Sequence, residues 1–299
     1  MTQRANEGLL RAVDRMMLLF MAGLAVVTAL TQQQPARILF YLAAMALTML
    51  ASALAGPRWA PARVIRDFFP LPAVITIFNL AGPLIGAANP ARWDDSLARL
   101  DLRLLGPLVP AWRAALGRPA WLSDVASLLY VSYYFIPVAM AVALYVRGRR
   151  SEFEDLTFAL IATLLASYVG YFLFPASGPR VPEAQEVALL GGGAISAAVR
   201  DFLRVAEINQ LDAFPSGHTA LSLVFLAYGW RLFPHWRTPL LFAVAGIIFA
   251  TVYLSLHYAV DLVAGAALAA GVLAAVPQLR RLFGEEPAGL LRAKDVATS

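Results

Sequence analysis

The chain has 299 residues, 60% hydrophobic and 14% charged, with a mean hydropathy of +0.67. A soluble domain of this length exposes too much surface for so apolar a composition, so the excess side chains are expected to face lipid. The absence of cysteine excludes disulfides, thiolate metal sites and cysteine nucleophiles, and the formal charge of +5 lies in short gaps between apolar runs rather than in one basic stripe, which argues against nucleic acid as a partner.

Apolar segments of about 20 residues can cross a bilayer as helix. About eight are predicted, over residues 12–30, 38–55, 70–88, 121–146, 156–174, 215–233, 239–256 and 257–276. The first, preceded by Arg4 and Arg11 and ending near Ala29, is also readable as a signal peptide. Against that reading, residues 31–35 lead almost at once into the second run, as in a helical hairpin.

Positive residues in short loops stay on the cytoplasmic side. Arg58, Arg63 and Arg66, then Arg147, Arg149 and Arg150, then Arg231 and Arg237 occupy alternate gaps, and Arg280, Arg281, Arg292 and Lys294 follow the last span. Both termini are therefore expected in the cytoplasm, in a bacterial-type inner membrane, with the other loops exoplasmic. One of those loops, residues 87–120, strains the rule with five arginines, but Asp94, Asp95 and Asp101 are interleaved among them. Leu97, Leu100, Leu104 and Leu105 recur there at helical spacing, which predicts an amphipathic helix in the interface, read as a plain lid. The other long exoplasmic loop, residues 176–213, holds Gly191-Gly192-Gly193 and a short amphipathic stretch over 197–205.

Two clusters carry chemistry. Phe214-Pro215-Ser216-Gly217-His218-Thr219 stands where an exoplasmic loop enters the sixth helix. Proline needs no amide donor there, Ser216 can cap, and Gly217 lets a ligand approach free N–H groups at the positive end of the helix dipole, an arrangement suited to phosphate. His218 would stand beside that phosphate and could protonate a leaving oxygen. Taken alone, the same residues fit a helix cap with an interfacial histidine. The second cluster, Ser255-Leu256-His257-Tyr258-Ala259-Val260-Asp261 continuing to Gly265, lies at the junction of the last two spans. His257 and Asp261, four apart, share a helical face, so the carboxylate can accept one ring N–H and leave the other nitrogen as a nucleophile. An ionisable pair at the edge of hydrocarbon is costly unless it is satisfied, so it ranks as a functional candidate, the alternative being a bond that pins two helices.

Together the clusters resemble the second and third motifs of the phosphatidic-acid-phosphatase type 2 superfamily. The resemblance implies that His257 attacks phosphorus to form a phosphohistidine, that Asp261 orients it and that His218 protonates the leaving group. It also implies an all-α fold: a polytopic transmembrane bundle whose six-helix catalytic core, residues 70–278, follows an N-terminal two-helix segment, 1–69, and precedes a cytoplasmic tail, 279–299. The family's first motif has a lysine, six residues and Arg-Pro. Here Phe174-Pro175-Ala176-Ser177-Gly178-Pro179-Arg180 keeps only Arg180 as a phosphate clamp, with Leu173 at the lysine's place, and Thr251 stands where the third motif carries an arginine.

With two cations missing, the pattern looks more like the branch of inositol phosphorylceramide synthase and related inositol phosphotransferases. Tyr253 to Asp261, Phe174 to Arg180 and the acidic element over Trp93 to Leu105 carry that likeness. It implies transfer of a phosphate-linked headgroup between two membrane lipids, donor and acceptor; the alternative is a lipid phosphate or diphosphate phosphatase with the same histidine chemistry. Ser216, Gly217, Asp212 and Arg180 are expected to bind substrate. No metal or other cofactor is expected, since two histidines and one nearby acid lack the paired carboxylates of a magnesium phosphatase. A non-catalytic transporter or scaffold would need neither histidine. His235, in the loop after the sixth span, is assigned no role, and Tyr130, Tyr133 and Tyr134 fit either a headgroup pocket or simple packing.

Overall fold

The computed structural model describes residues 9–55, 59–179, 192–206 and 208–286, and among them every regular element is helical. In chain order they are α1 (Ala12–Thr31), α2 (Pro35–Ala55), α3 (Ala60–Phe68), α4 (Pro70–Ala88), α5 (Asp94–Leu105), α6 (Leu108–Leu116), α7 (Ala120–Val146), α8 (Arg150–Leu173), α9 (Ala194–Ala206), α10 (Gly217–Leu232), α11 (Arg237–Tyr253) and α12 (Ala259–Leu282). Seven segments are long and apolar enough to cross a membrane, and Leu19, Leu30, Phe40, Phe242 and Val263 turn outward from them. Outward-facing apolar residues on so many long helices are what lipid contact requires, so the chain is an integral membrane protein.

The sixth expected span, α10, has only 16 residues, and it packs against α7, α8, α11 and α12 inside the bundle. Enclosed by protein, it need not match the lipid thickness as its neighbours do. At the centre stands α8, with 67% of its apolar window buried, touching α1, α4, α7, α10 and α12. Hydrocarbon tails are as apolar as leucine, so this packing depends on close interdigitation rather than on escape from water. One continuous apolar cluster includes Met17, Ile38, Ile77, Leu144, Phe153, Phe225 and Val272, and so takes in both N-terminal helices.

Buried charge gathers at the end of the bundle remote from the motifs. Arg11 pairs with Asp14 at 3.0 Å and with Asp67 at 3.2 Å, and Asp67 also pairs with Arg150. Arg280 pairs with Asp155 and, at 2.7 Å, with Glu285. Asp67 belongs to α3, a short helix in what the hydropathy pattern presents as a loop; only Phe69 separates α3 from Pro70, which begins α4. His235 lies at this same end, in a single 3-10 turn between α10 and α11.

Candidate functional site

At the opposite end, three loops meet. Ser216 caps α10, its hydroxyl accepting the Thr219 N–H at 3.2 Å, while its own N–H donates to the Asp261 carbonyl at 3.0 Å. That bond joins the first turns of α10 and α12. Only a glycine allows the approach, because a Cβ on Gly265 would stand 2.5 Å from the Ser216 carbonyl oxygen. Gly217 faces Tyr171 and Ser167 of α8.

His218, in the first turn of α10, is buried between two rings of α7. Its centroid lies 4.4 Å from that of Tyr130 at an interplanar angle of 27°, and 4.2 Å from that of Tyr133 at 35°. The faces of both tyrosines lie against the imidazole and fix the plane of its ring. Two of the three tyrosines read as either pocket or packing, Tyr130 and Tyr133, thus hold one of the candidate histidines.

His257 does not sit on a helix. The α12 helix starts two residues later, and His257 belongs to a tight turn in which the Thr251 carbonyl accepts the N–H groups of Leu256 at 3.0 Å and His257 at 3.2 Å, with Ser255 in the left-handed region at φ 60°. The Thr251 hydroxyl is turned back to the Ile248 carbonyl at 2.7 Å, so this side chain replaces the missing cation with an intrahelical bond. His257 Nδ1 lies 2.9 Å from the Ala213 carbonyl oxygen and 3.4 Å from Asp261 Oδ2. A carbonyl oxygen can only accept, so Nδ1 carries the proton and Nε2 keeps the lone pair. The spacing of four does bring His257 and Asp261 together, but the nearer orienting group is backbone. Asp261 is fully buried, and its Oδ2 also accepts the Tyr258 N–H at 2.8 Å, capping the helix it belongs to.

The centroids of His218 and His257 are 5.8 Å apart at 63°, so residues from two distant motifs share one small volume. An apolar cavity of about 90 Å³ reaches His218 from between α4, α7 and α8, with Val74, Phe78, Tyr134 and Pro137 among its walls. Asp212, buried, lies on the same wall. Arg180, expected to clamp phosphate, falls outside the described residues. Leu173, at the family's lysine position, is 56% exposed at the end of α8. Among the described residues no three His, Asp or Glu side chains converge as metal ligands would.

The amphipathic helix α5 covers this end. Its buried face is not the expected leucine stripe, since Leu100 and Leu104 are exposed and only Leu97 is buried. Asp94 and Asp101, one turn before and one turn after Leu97, face inward with it. Asp94 Oδ1 accepts the N–H groups of Ser177 and Gly178, each at 2.9 Å, and Asp101 Oδ1 accepts that of Val260 at 2.9 Å. Leu97 packs with Ala176 of the loop after α8, Ala213 of the loop before α10 and Val260 in the first turn of α12. These contacts were missed because the acids were read only as partial compensation for the five arginines of the loop, although the spacing of 94, 97 and 101 was itself a sign of one face. Burial and the surrounding Asp94, Asp261, Asp95 and Asp101 push the Tyr258 phenol up to about 12, so it remains a neutral hydroxyl beneath α5. Asp124 of α7 plays a similar part for α9, accepting the N–H groups of Gly193 at 2.9 Å and Ser196 at 2.8 Å.

Fold and site together define an integral membrane helical bundle with two facing histidines at one end. The sequence profile of the PAP2 superfamily matches residues 95–275, more than half of the chain, and the chain belongs to that superfamily. It is also similar to a PA-phosphatase related-family protein of Dictyostelium discoideum, 24% identical over an alignment 205 residues long that covers 58% of this chain and 37% of that protein. The match thus spans well under half of the relative's length. No solved structure matches at a significant level. Membership suggests lipid phosphatase or phosphotransferase activity.

Proposed function

We propose that the protein is a membrane phosphotransferase that moves a phosphate-linked headgroup from one lipid to another through a phosphohistidine on His257, with the site on the exoplasmic face and both termini in the cytoplasm of a bacterial-type inner membrane. The observation that carries the chemistry is the pairing of His257, whose Nδ1–H is held by the Ala213 carbonyl, with His218 at a centroid distance of 5.8 Å. His257 Nε2 attacks phosphorus and forms the P–N bond while the P–O bond of the donor lipid breaks, and His218 gives its proton to the departing oxygen. The hydroxyl of the acceptor lipid then attacks phosphorus, its proton passes to His218, and the P–N bond breaks. Asp261 orients His257 and stabilises the positive charge that develops on it.

Transfer rather than hydrolysis is favoured by burial and charge. His218 and His257 are 8% and 4% exposed, and the cavity that reaches His218 is walled mainly by apolar and aromatic side chains, which suits a lipid hydroxyl better than water. Leu173 and Thr251 occupy the places of two cations, leaving less positive charge than a dianionic monoester calls for, whereas a phosphodiester carries a single charge. Asp212, Ser216, Gly217 and Arg180 make up the proposed substrate-binding set. The similarity to a PA-phosphatase related protein supports the second reading, release of phosphate from a lipid monoester or diphosphate. Purified protein given a phosphodiester lipid and a lipid with a free hydroxyl should exchange the headgroup. Release of inorganic phosphate from phosphatidate without any acceptor would establish the phosphatase reading instead.

A further inference from the structure

We infer that α5 is a positioning clamp for the reaction, in which Asp101 holds the first turn of α12, next to the histidine nucleophile, and Asp94 holds the loop that follows α8. The inference rests on the functional reading above and adds two positioning residues to it.

Three segments form the site, joined to one another by single backbone bonds, from the Ala213 N–H to the Ala176 carbonyl and from the Ser216 N–H to the Asp261 carbonyl, each 3.0 Å. Each also reaches α5. The Trp93 N–H donates to the Pro175 carbonyl at 3.0 Å, Asp94 fixes the amides of Ser177 and Gly178 in that loop, and Leu97 closes on Ala176, Ala213 and Val260. The position of Gly178 makes the register strict, because its φ is +75° and a Cβ there would stand 2.3 Å from the Leu256 carbonyl oxygen. The loop held by Asp94 therefore lies directly against the turn that presents His257.

Asp101 acts at the other side of that turn. The first N–H groups of a helix have no partner within it. Those of α12 are met by carboxylates, one from Asp261 in the same helix to Tyr258 and one from Asp101, 159 residues distant, to Val260. Val260 directly precedes Asp261. Loss of the Asp101 bond would free the first turn of α12 and, with it, the direction in which Asp261 and His257 point. Asp101 and Asp94 act through the backbone amides that they hold.

The test uses the purified full-length protein in detergent, with steady-state kinetics and amide hydrogen exchange read on the same samples. Asp101→Ala should lower kcat about 10- to 100-fold with KM within about threefold, since misplacement of about 1 Å has an effect of that order. The same variant should speed exchange in residues 256–262 while leaving α11 unchanged. Asp101→Asn keeps an oxygen that accepts the Val260 N–H and should restore both readouts to near wild type. Asp94→Ala is the second variant, expected to show faster exchange over residues 175–179 with a similar loss of kcat, and it decides the matter if Asp101→Ala does not fold. Unchanged kcat despite faster exchange would overturn the clamp as a positioning device. So would unchanged exchange, or a loss that Asp101→Asn fails to rescue. Wild-type protein that neither transfers a headgroup nor releases phosphate would refute the functional reading, while exchange in the variants would still report on the contacts of α5.

Discussion

Substituting Gly265 tests whether the two histidines are held by the close crossing of α10 and α12. In Gly265→Ala the new Cβ would start 2.5 Å from the Ser216 carbonyl oxygen and 3.0 Å from Thr219 Cβ, and neither neighbour is the free end of a flexible chain. Ordinary contact begins at about 3.4 Å, so the helices must part by ~0.5 to 0.9 Å at this point. The displacement falls beside the bond from the Ser216 N–H to the Asp261 carbonyl, which ties the first turns of the two helices together. Movement of this size between reacting groups lowers kcat by ~10²-fold, equivalent to about 2.7 kcal/mol. Gly271→Ala is the control: it lies farther along α12, a Cβ there meets nothing within 4 Å, and activity should stay within about twofold of wild type. Both variants should be purified in detergent and assayed for headgroup exchange under saturating donor and acceptor. Full activity in Gly265→Ala, or equal losses in the two variants, would show that the crossing does not set the histidine geometry.

Removing either ring beside His218, in Tyr130→Leu or Tyr133→Leu, should lower kcat about tenfold, since the ring plane of the proton donor is then less firmly held; phenylalanine at either position should retain more activity than leucine. Asp261→Asn should be milder than His257→Ala, because the Ala213 carbonyl still holds Nδ1–H at 2.9 Å. Losses of about 10² and several orders of magnitude respectively are expected in the same assay. At the remote end, Asp155→Ala leaves the buried guanidinium of Arg280 without one of its partners and should destabilise the protein by about 3–5 kcal/mol, read as a fall in thermal midpoint, with any surviving folded protein active. Activity should persist in excess EDTA, because the proposed steps use only histidine and carboxylate groups.

The parts of this protein legible in its sequence are those whose signal is local. Span length and hydropathy located the membrane helices, because each apolar run must satisfy its own backbone. His218 and His257 stood out because each lies in a short string of residues with a chemical reason for its order. The role of α5 was hidden, since Asp94 and Asp101 bond to backbone amides 83 to 159 residues away, and a backbone amide leaves no mark on residue type. The same holds for the Ala213 carbonyl, which any residue at that position would supply. The leucines of α5 suggested a buried stripe, but inward carboxylates that satisfy three backbone amides determine which face turns in. The short length of α10 was obscured by flanking apolar residues, Phe214 and Phe233, which belong to the turns at its ends.

Trapping of the covalent intermediate bears on all of this at once. Purified protein should be mixed with a donor lipid labelled in its phosphate, quenched within milliseconds in base, digested and sequenced by mass spectrometry. The label should be on His257 in wild type, absent from His257→Ala, and lost on adding a lipid alcohol as the headgroup appears in the new lipid. Label on any other residue, or turnover in wild type and His257→Ala alike, would contradict the proposal that these two imidazoles work on one phosphorus atom.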